Sequence, residues 1–302
     1  MSGLNMTREK AAFMNISFHI GAHYTYGSTL MRGLLKNRST LEQHGIIVPS
    51  PARYREVLPQ MMKRVKNSRA TAEAEQIIIE DITEMDACDR VVMSYEDLIC
   101  QPQAIFHGGR LYGKAQFKLK WLRNVFPNSE MEFHIGVRNP ATFIPEAVPD
   151  PAGYAEFIGE TDLDSILWSD FIKSVRAACP DVPVTVFAYE DTPLTWAQIM
   201  RELAGLGPMV PIDGGLDILA MIMKREGMKR LRTYLNTHRP QNELQRRRIL
   251  AAFLDKYVDE DAIEEEIDLP GWDDALITRL TDRYEDDLYE IEDIPGVRFI
   301  QP

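Results

Sequence analysis

Four short apolar runs, separated by longer segments with helical spacing, limit the fold more than any other feature of this sequence. They are Ile16–Gly21 (ISFHIG), Arg90–Ser94 (RVVMS), Met131–Val137 (MEFHIGV) and Val182–Ala188 (VPVTVFA). Each is rich in β-branched residues and ends at polar or turn residues. Strands that need not alternate apolar with polar are covered on both faces, and a chain that alternates them with helices builds a mostly parallel sheet flanked by helices. After about residue 195 the strand signals stop. Trp196–Ala204, Leu216–Leu235, Glu243–Tyr257 and Asp273–Ile291 carry helical patterns, with Leu219, Ile222, Met223 and Leu231 near one face. Met221, Met223 and Met228 suit gap-filling in a core. Pro240, Pro270 and Pro295 punctuate this part, and no repeat or low-complexity linker divides it from the rest. The expectation is an α/β core over residues 1–194 and a helical C-terminal portion over 195–302, packed as one unit. A chain of 302 residues, 45% hydrophobic, can bury a core of that size.

Charge and cysteine usage narrow the class. The formal net charge of −12 is unevenly spread. Phe253–Pro302 carries 17 acidic and 4 basic residues, a balance of −13, so the remainder sits at 30 basic against 29 acidic, or +1. Such a tail disfavours nucleic acid as a partner. It is either a solvated helical surface or a docking site for something basic. A basic cluster precedes it: Lys224, Arg225, Lys229, Arg230, Arg232 and Arg246-Arg247-Arg248. This cluster reads as a solvated face or as a surface for an anionic substrate, and the acidic tail could pack against it. No stretch approaches the roughly 18–20 apolar residues that cross a bilayer. The first fifteen residues show no signal-peptide pattern. Cys88, Cys100 and Cys179 fit neither a disulfide framework nor a metal knuckle, and the histidines four apart, His19 and His23, lie in a strand and the loop after it and not on a helix, so they do not form a helical metal site. A soluble cytoplasmic protein without a metal is expected.

The segment Ile16–Asn37 (ISFHIGAHYTYGSTLMRGLLKN) holds the best candidate site. A strand runs into Gly21, a loop with Gly27, Ser28 and Thr29 follows, and Leu30–Leu35 opens a helix. That order makes an anion site, because the first backbone N–H groups of a helix lack partners and its dipole favours negative charge. Ser28 and Thr29 can add hydroxyl donors or cap the helix. The ordinary triphosphate loop needs four residues between its glycines and a lysine after the second. Here five residues separate Gly21 from Gly27, and no lysine follows. A plain helix cap with an unremarkable turn is the competing reading.

His19–Arg38 (HIGAHYTYGSTLMRGLLKNR) resembles the N-terminal segment of bacterial sulfotransferase-like proteins, in which a His-Ile-Gly-Ala-His strand end precedes Lys-Thr-Gly-Thr-Thr and later an Asn-Arg pair. His44-Gly45-Ile46 leading to Pro49, Ser94-Tyr95-Glu96 and Arg138-Asn139-Pro140 are similar to further elements of that family, so the likeness spans most of residues 16–190. It implies a P-loop-like nucleotide-binding fold and 3′-phosphoadenosine 5′-phosphosulfate (PAPS) as donor. It further implies transfer of a sulfuryl group to a hydroxyl on a sugar, lipid or small molecule. Tyr24, Thr25, Gly27, Ser28 and Thr29 would cradle the 5′-phosphosulfate. Arg138 would hold the 3′-phosphate through its planar guanidinium. A base must take the acceptor proton, and Glu96, His23 and His19 are the candidates.

The departures bear on activity more than on fold. The family lysine falls at Tyr24, or at Thr25 in a shifted register, and the family glycine falls at Tyr26. The serine eight residues after the arginine is Glu146, whose charge would repel a 3′-phosphate; Thr142 could supply a hydroxyl instead. Arg225-Glu226-Gly227-Met228-Lys229 only faintly echoes the C-terminal nucleotide motif of the animal enzymes. A catalytically inactive relative that binds a nucleotide or a protein partner is therefore the alternative, followed by another phosphate-handling transferase. Glu190-Asp191 and Glu96-Asp97 follow strands, where ligands gather in parallel sheets, but each pair could equally serve as a helix cap. His19 and His134 lie inside strands and read as core groups; His44 reads as a turn residue.

Overall fold

The computed structural model describes residues 14–85, 88–148, 150–263, 267 and 269–302. Its centre is a six-stranded sheet of β1 (Asn15–His19), β2 (Ile46–Ile47), β3 (Arg90–Ser94), β4 (Glu130–Val137), β5 (Val184–Ala188) and β6 (Val297–Ile300). The order is β2-β3-β1-β4-β5-β6, and every pairing is parallel. The expected α/β class with a parallel sheet between helices is what the chain adopts.

Alternate residues of each strand feed two different layers. Ile16, Phe18, Val91, Met93, Met131, Phe133, Ile135 and Val184 point into one apolar core, shared with Leu119, Leu122, Trp168, Phe171 and Val175 from the Ala115–Val125 and Trp168–Ala178 helices. The other face meets the Gly27–Lys36 and Thr192–Ala204 helices through Leu30, Leu34, Val92, Phe187, Trp196 and Met200. The helix leaving β1 thus lies on one face, whereas those leaving β3 and β4 lie on the other. Divergence of this kind opens a crevice at the carboxyl ends of the central strands.

Two elements differ from the sequence expectation. The chain end returns to the sheet as β6, so the C-terminal portion is not wholly helical. Leu216–Leu235 is not one helix but two, Leu219–Ile222 and Arg225–Thr237. The break has a cause. Met223 is extended and bridges to Val258, and the Lys224 amide donates to the Tyr257 carbonyl at 2.9 Å. Gly227 then passes so close that an added Cβ would lie 2.3 Å from Tyr257 Cβ.

The acidic tail also has a structural task. Asp287, on the Asp274–Glu292 helix, is buried and accepts from the Trp168 amide at 2.6 Å and the Ser169 amide at 3.2 Å. Its carboxylate therefore sits on the N-terminus of the Trp168–Ala178 helix, where the dipole favours an anion. Burial pushes its pKa up despite those bonds. Asp287→Ala should strand both amides and cost about 2–3 kcal/mol of stability. Urea unfolding checks this; a loss below about 1 kcal/mol, within the range of an ordinary neutral hydrogen bond, would contradict it.

Candidate functional site

The loop after β1 is held down before it turns into the helix. Beyond the end of the strand, the Ile20 and Ala22 amides still donate to the His134 and Gly136 carbonyls at 3.1 and 2.9 Å. Thr25 is buried, and its hydroxyl donates to the Ala22 carbonyl at 2.7 Å. Its side chain lies over Gly136, where an added Cβ would meet Thr25 Oγ1 at 2.7 Å and Phe187 Cε2 at 2.9 Å. Thr25 thus seats the loop on β4, with its hydroxyl proton given to the Ala22 carbonyl. Tyr24 and Tyr26 both have left-handed backbones, φ 60° and 65°, a conformation that non-glycine residues seldom adopt. Tyr26 is the N-cap of the Gly27–Lys36 helix. Ser28 and Thr29 fall inside its first turn, so the expected hydroxyl cap is not formed. Thr29 Oγ1 accepts instead from Arg32 at 2.9 Å.

Glu96 occupies the helix end. It follows β3 in the Glu96–Leu98 turn, and its carboxylate lies against the Gly27 amide. The approach is so close that a Cβ on Gly27 would be 2.0 Å from Glu96 Oε1. Glycine is required here to admit the carboxylate. Burial drives the Glu96 pKa up to about 7, the Gly27 amide and Arg55 resist, and Asp97 adds to the rise.

Arg138 reaches the same loop from the end of β4. It is buried, its Nη1 donates to the Tyr24 carbonyl at 3.2 Å, and its Nε donates to Thr142 Oγ1 at 3.0 Å. Its charge pairs with Glu146 and lies 4.3 Å from the centroid of the Tyr189 ring. Trp168 Nε1 fixes the Arg138 carbonyl at 2.7 Å. The resemblance had brought Arg138, Thr142 and Glu146 to one site, and they are in contact here, with Glu146 on the guanidinium. Each of the two anion-attracting groups, the Gly27 helix end and Arg138, is thereby matched to a glutamate of the same chain.

The histidines are tied into the fold. The His23 backbone N–H donates to the Tyr112 hydroxyl at 2.9 Å, so the hydroxyl proton goes to His23 Nδ1 at 2.8 Å. Nε2 then carries the ring proton toward Asp97 at 3.0 Å. Burial lowers the His23 pKa and Asp97 partly restores it. His19 is fully buried, bonded to Ser94 Oγ at 2.8 Å, and pushed down to about 3 by burial and by His134 beside it in register. It stays neutral behind the loop. Of the three proposed bases, only Glu96 has its reactive oxygen at the helix end.

Further side chains complete the corner. Tyr26 and Tyr189 stack with centroids 4.7 Å apart. Glu190 accepts from the Asn139 amide at 2.8 Å and the Tyr284 hydroxyl at 2.9 Å, so it braces the Arg138 turn. Burial raises its pKa, and raises that of Asp191 to about 6. Nothing in the local pattern marks Tyr112, Tyr189 or Tyr284, because each arrives from a distant element.

Fold and site together define an α/β parallel-sheet protein with a strand–loop–helix corner at the carboxyl edge of its central strands. Comparison with protein-family models, with curated proteins and with solved structures gives no match to this chain. Among the described residues, no helix is long and apolar enough to cross a membrane.

Proposed function

We propose that this chain is a sulfotransferase-like protein that holds a 3′-phosphoadenosine nucleotide at the corner after β1 without efficient sulfuryl transfer. The observation that carries the reading is the placement of Arg138 against the loop, with its guanidinium on the Tyr24 carbonyl. A nucleotide with its 3′-phosphate at Arg138 would displace Glu146, which is half exposed and free to swing out. Its 5′ end would meet the helix end once Glu96 is neutral or displaced. Weak turnover follows from the absence of the loop lysine. The half-buried Tyr24 stands in its place, beside three carboxylates that push its own pKa up after burial has done so. Losing one contact that stabilises a leaving group costs about 10²–10³-fold in rate.

One observation favours a second reading, in which transfer does occur. Glu96 titrates at about 7, where a general base works best. It would take the proton of an acceptor hydroxyl as that oxygen bonds to sulfur. The bond from sulfur to the 5′-phosphate oxygen would break, releasing the 3′,5′-bisphosphate.

Thermal unfolding with 3′-phosphoadenosine 5′-phosphate tests both readings. Ligand at 100 times its Kd should add about 2.7 kcal/mol. Arg138→Lys should abolish the shift while the protein stays folded, because an ammonium cannot make the bidentate contact. Absence of a shift at millimolar nucleotide would sink both readings. Steady sulfate transfer from PAPS to a hydroxyl acceptor would overturn the non-catalytic one.

A further inference from the structure

The start of the acidic tail, Phe253–Tyr257, lines the same groove as Lys229 and Arg230, but the acidic Asp274–Glu292 helix packs elsewhere. The Arg225–Thr237 and Glu243–Tyr257 helices form a hairpin that packs on the Thr192–Ala204 helix, on one side of the sheet. The Asp274–Glu292 helix packs on the Trp168–Ala178 helix, on the other side. The tail thus packs against the basic cluster only through Phe253–Tyr257, and the charged faces of the Arg225–Thr237 and Asp274–Glu292 helices are exposed.

Each surface is organised. Between the hairpin helices runs a groove of about 710 Å³. Its floor is aromatic: Tyr234 and Phe253 have centroids 5.6 Å apart, and Phe253 and Tyr257 6.2 Å. Its rim carries Lys229, Arg230 and Lys256. Arg230 pairs with Glu226 at 2.6 Å, but among the described residues Arg225, Lys229, Arg232 and Lys256 make no ion pair. Arg225, Lys229 and Arg232 follow i, i+4, i+7 spacing, so they share one helix face. The acidic helix mirrors this. Asp282, Glu285, Asp286 and Tyr289 share its outer face, and among the described residues the three carboxylates make no ion pair. Tyr289 stands 70% exposed among them.

We propose that copies of this chain associate head to tail, the acidic face around Tyr289 of one copy seated in the basic aromatic groove of the next. Charge complementarity selects a second copy as the occupant. Among the described residues, the unpaired cations of the groove and the unpaired carboxylates of the Asp274–Glu292 helix belong to the same chain, and the two surfaces lie on opposite sides of its sheet. Tyr289 provides the anchor, since a tyrosine entering an aromatic pocket between charges is a common centre of binding energy. Nucleic acid, which would also suit a basic aromatic groove, is opposed by the overall charge of −12. The contact uses different patches on the two partners, so it leaves one groove and one acidic face open at the ends. Assembly therefore grows with concentration unless a ring closes. The inference does not depend on the nucleotide reading.

Sedimentation velocity of the full chain at rising concentration tests it. The wild type should gain mass with concentration. Lys229→Glu with Lys256→Glu in one variant, and Glu285→Lys with Asp286→Lys in another, should each weaken self-association by at least about tenfold, because like charges then oppose. All four positions are exposed, so circular dichroism should be unchanged. An equimolar mixture of the two variants retains one working groove and one working acidic face. The two reversed patches are again opposite in charge, so the mixture should recover self-association. A wild type that stays monomeric, variants that assemble like the wild type, or a mixture that remains monomeric would each overturn the proposal. So would a wild-type chain that stays monomeric but takes up a single-stranded RNA oligonucleotide.

Discussion

Arg90→Met should lower the unfolding free energy by about 2–3 kcal/mol, the range of hydrogen bonds to a charged group, because the Arg90–Glu132 pair is only partly buried. Arg90 lies on β3, on the face that meets the Thr192–Ala204 helix. Its guanidinium pairs with Glu132 on β4, bonds Asn15 on β1, and donates from Nη2 to the Leu203 carbonyl at 3.0 Å. Three neighbouring strands and a helix end are thereby joined by one side chain. Burial works against ionised Glu132, yet His134 and Arg90 pull its pKa down to about 2. A folded pKa below the unfolded one means that the stability is present above the ordinary value and is lost as pH falls toward 2. Methionine keeps the volume and leaves Glu132 charged beside His134 alone. A second change, Glu132→Gln, should recover much of the loss, since the uncompensated charge goes with it. Urea unfolding of the three proteins at neutral pH decides. A single-variant loss below about 1 kcal/mol, the range of an exposed pair, would show that the network is not desolvated.

How much of this was legible in the sequence follows from where the information sits. β1, β3, β4 and β5 could be read because strands covered on both faces carry short, largely apolar runs without strict alternation. β2 is two residues long, too short for any pattern, and β6 carries Arg298 in a four-residue run at the sheet edge. Arg298 is there because its partner, Glu202, lies on a helix nearly a hundred residues earlier. Arg138, Thr142 and Glu146 were drawn together by the resemblance, and the loop after β1 is local and was readable. What fills the loop was not. Gly27 suggests room for a phosphate, but the room is taken by Glu96, brought in by the β1–β3 pairing. Thr25 looked like a ligand donor until its hydroxyl turned out to be needed by Ala22. The two histidines of β1 and β4 were correctly read as core groups, while their side-by-side register, which depresses His19, is a property of the sheet.

Glu96 is where fold and proposed function can be separated by titration. Its folded pKa, about 7, stands above the ordinary 4.5 because the carboxyl is withdrawn from water. A raised carboxyl pKa means that the folded state holds the proton more tightly than the unfolded one. The contribution to stability is full below about 4.5 and is lost as pH rises through about 7. The rise corresponds to about 3 kcal/mol as an upper figure, since each pKa unit is worth about 1.4 kcal/mol. Glu96→Gln keeps the shape and cannot ionise. Relative to the wild type it should gain about 2–3 kcal/mol at pH 8 compared with pH 5. Urea unfolding at the two pH values measures the difference, and an equal effect at both would mean that Glu96 is ordinarily hydrated. The same substitution bears on the anion site. With the resident charge gone, the Gly27 helix end is offered to a phosphate, and Glu96→Gln should bind 3′-phosphoadenosine 5′-phosphate at pH 8 at least about tenfold more tightly than the wild type, the worth of one relieved like-charge contact. The wild type should approach that affinity as pH falls below 7. A stability gain without an affinity gain would leave Glu96 as a structural plug and move the nucleotide elsewhere; an affinity gain without a stability gain would place its cost in binding alone.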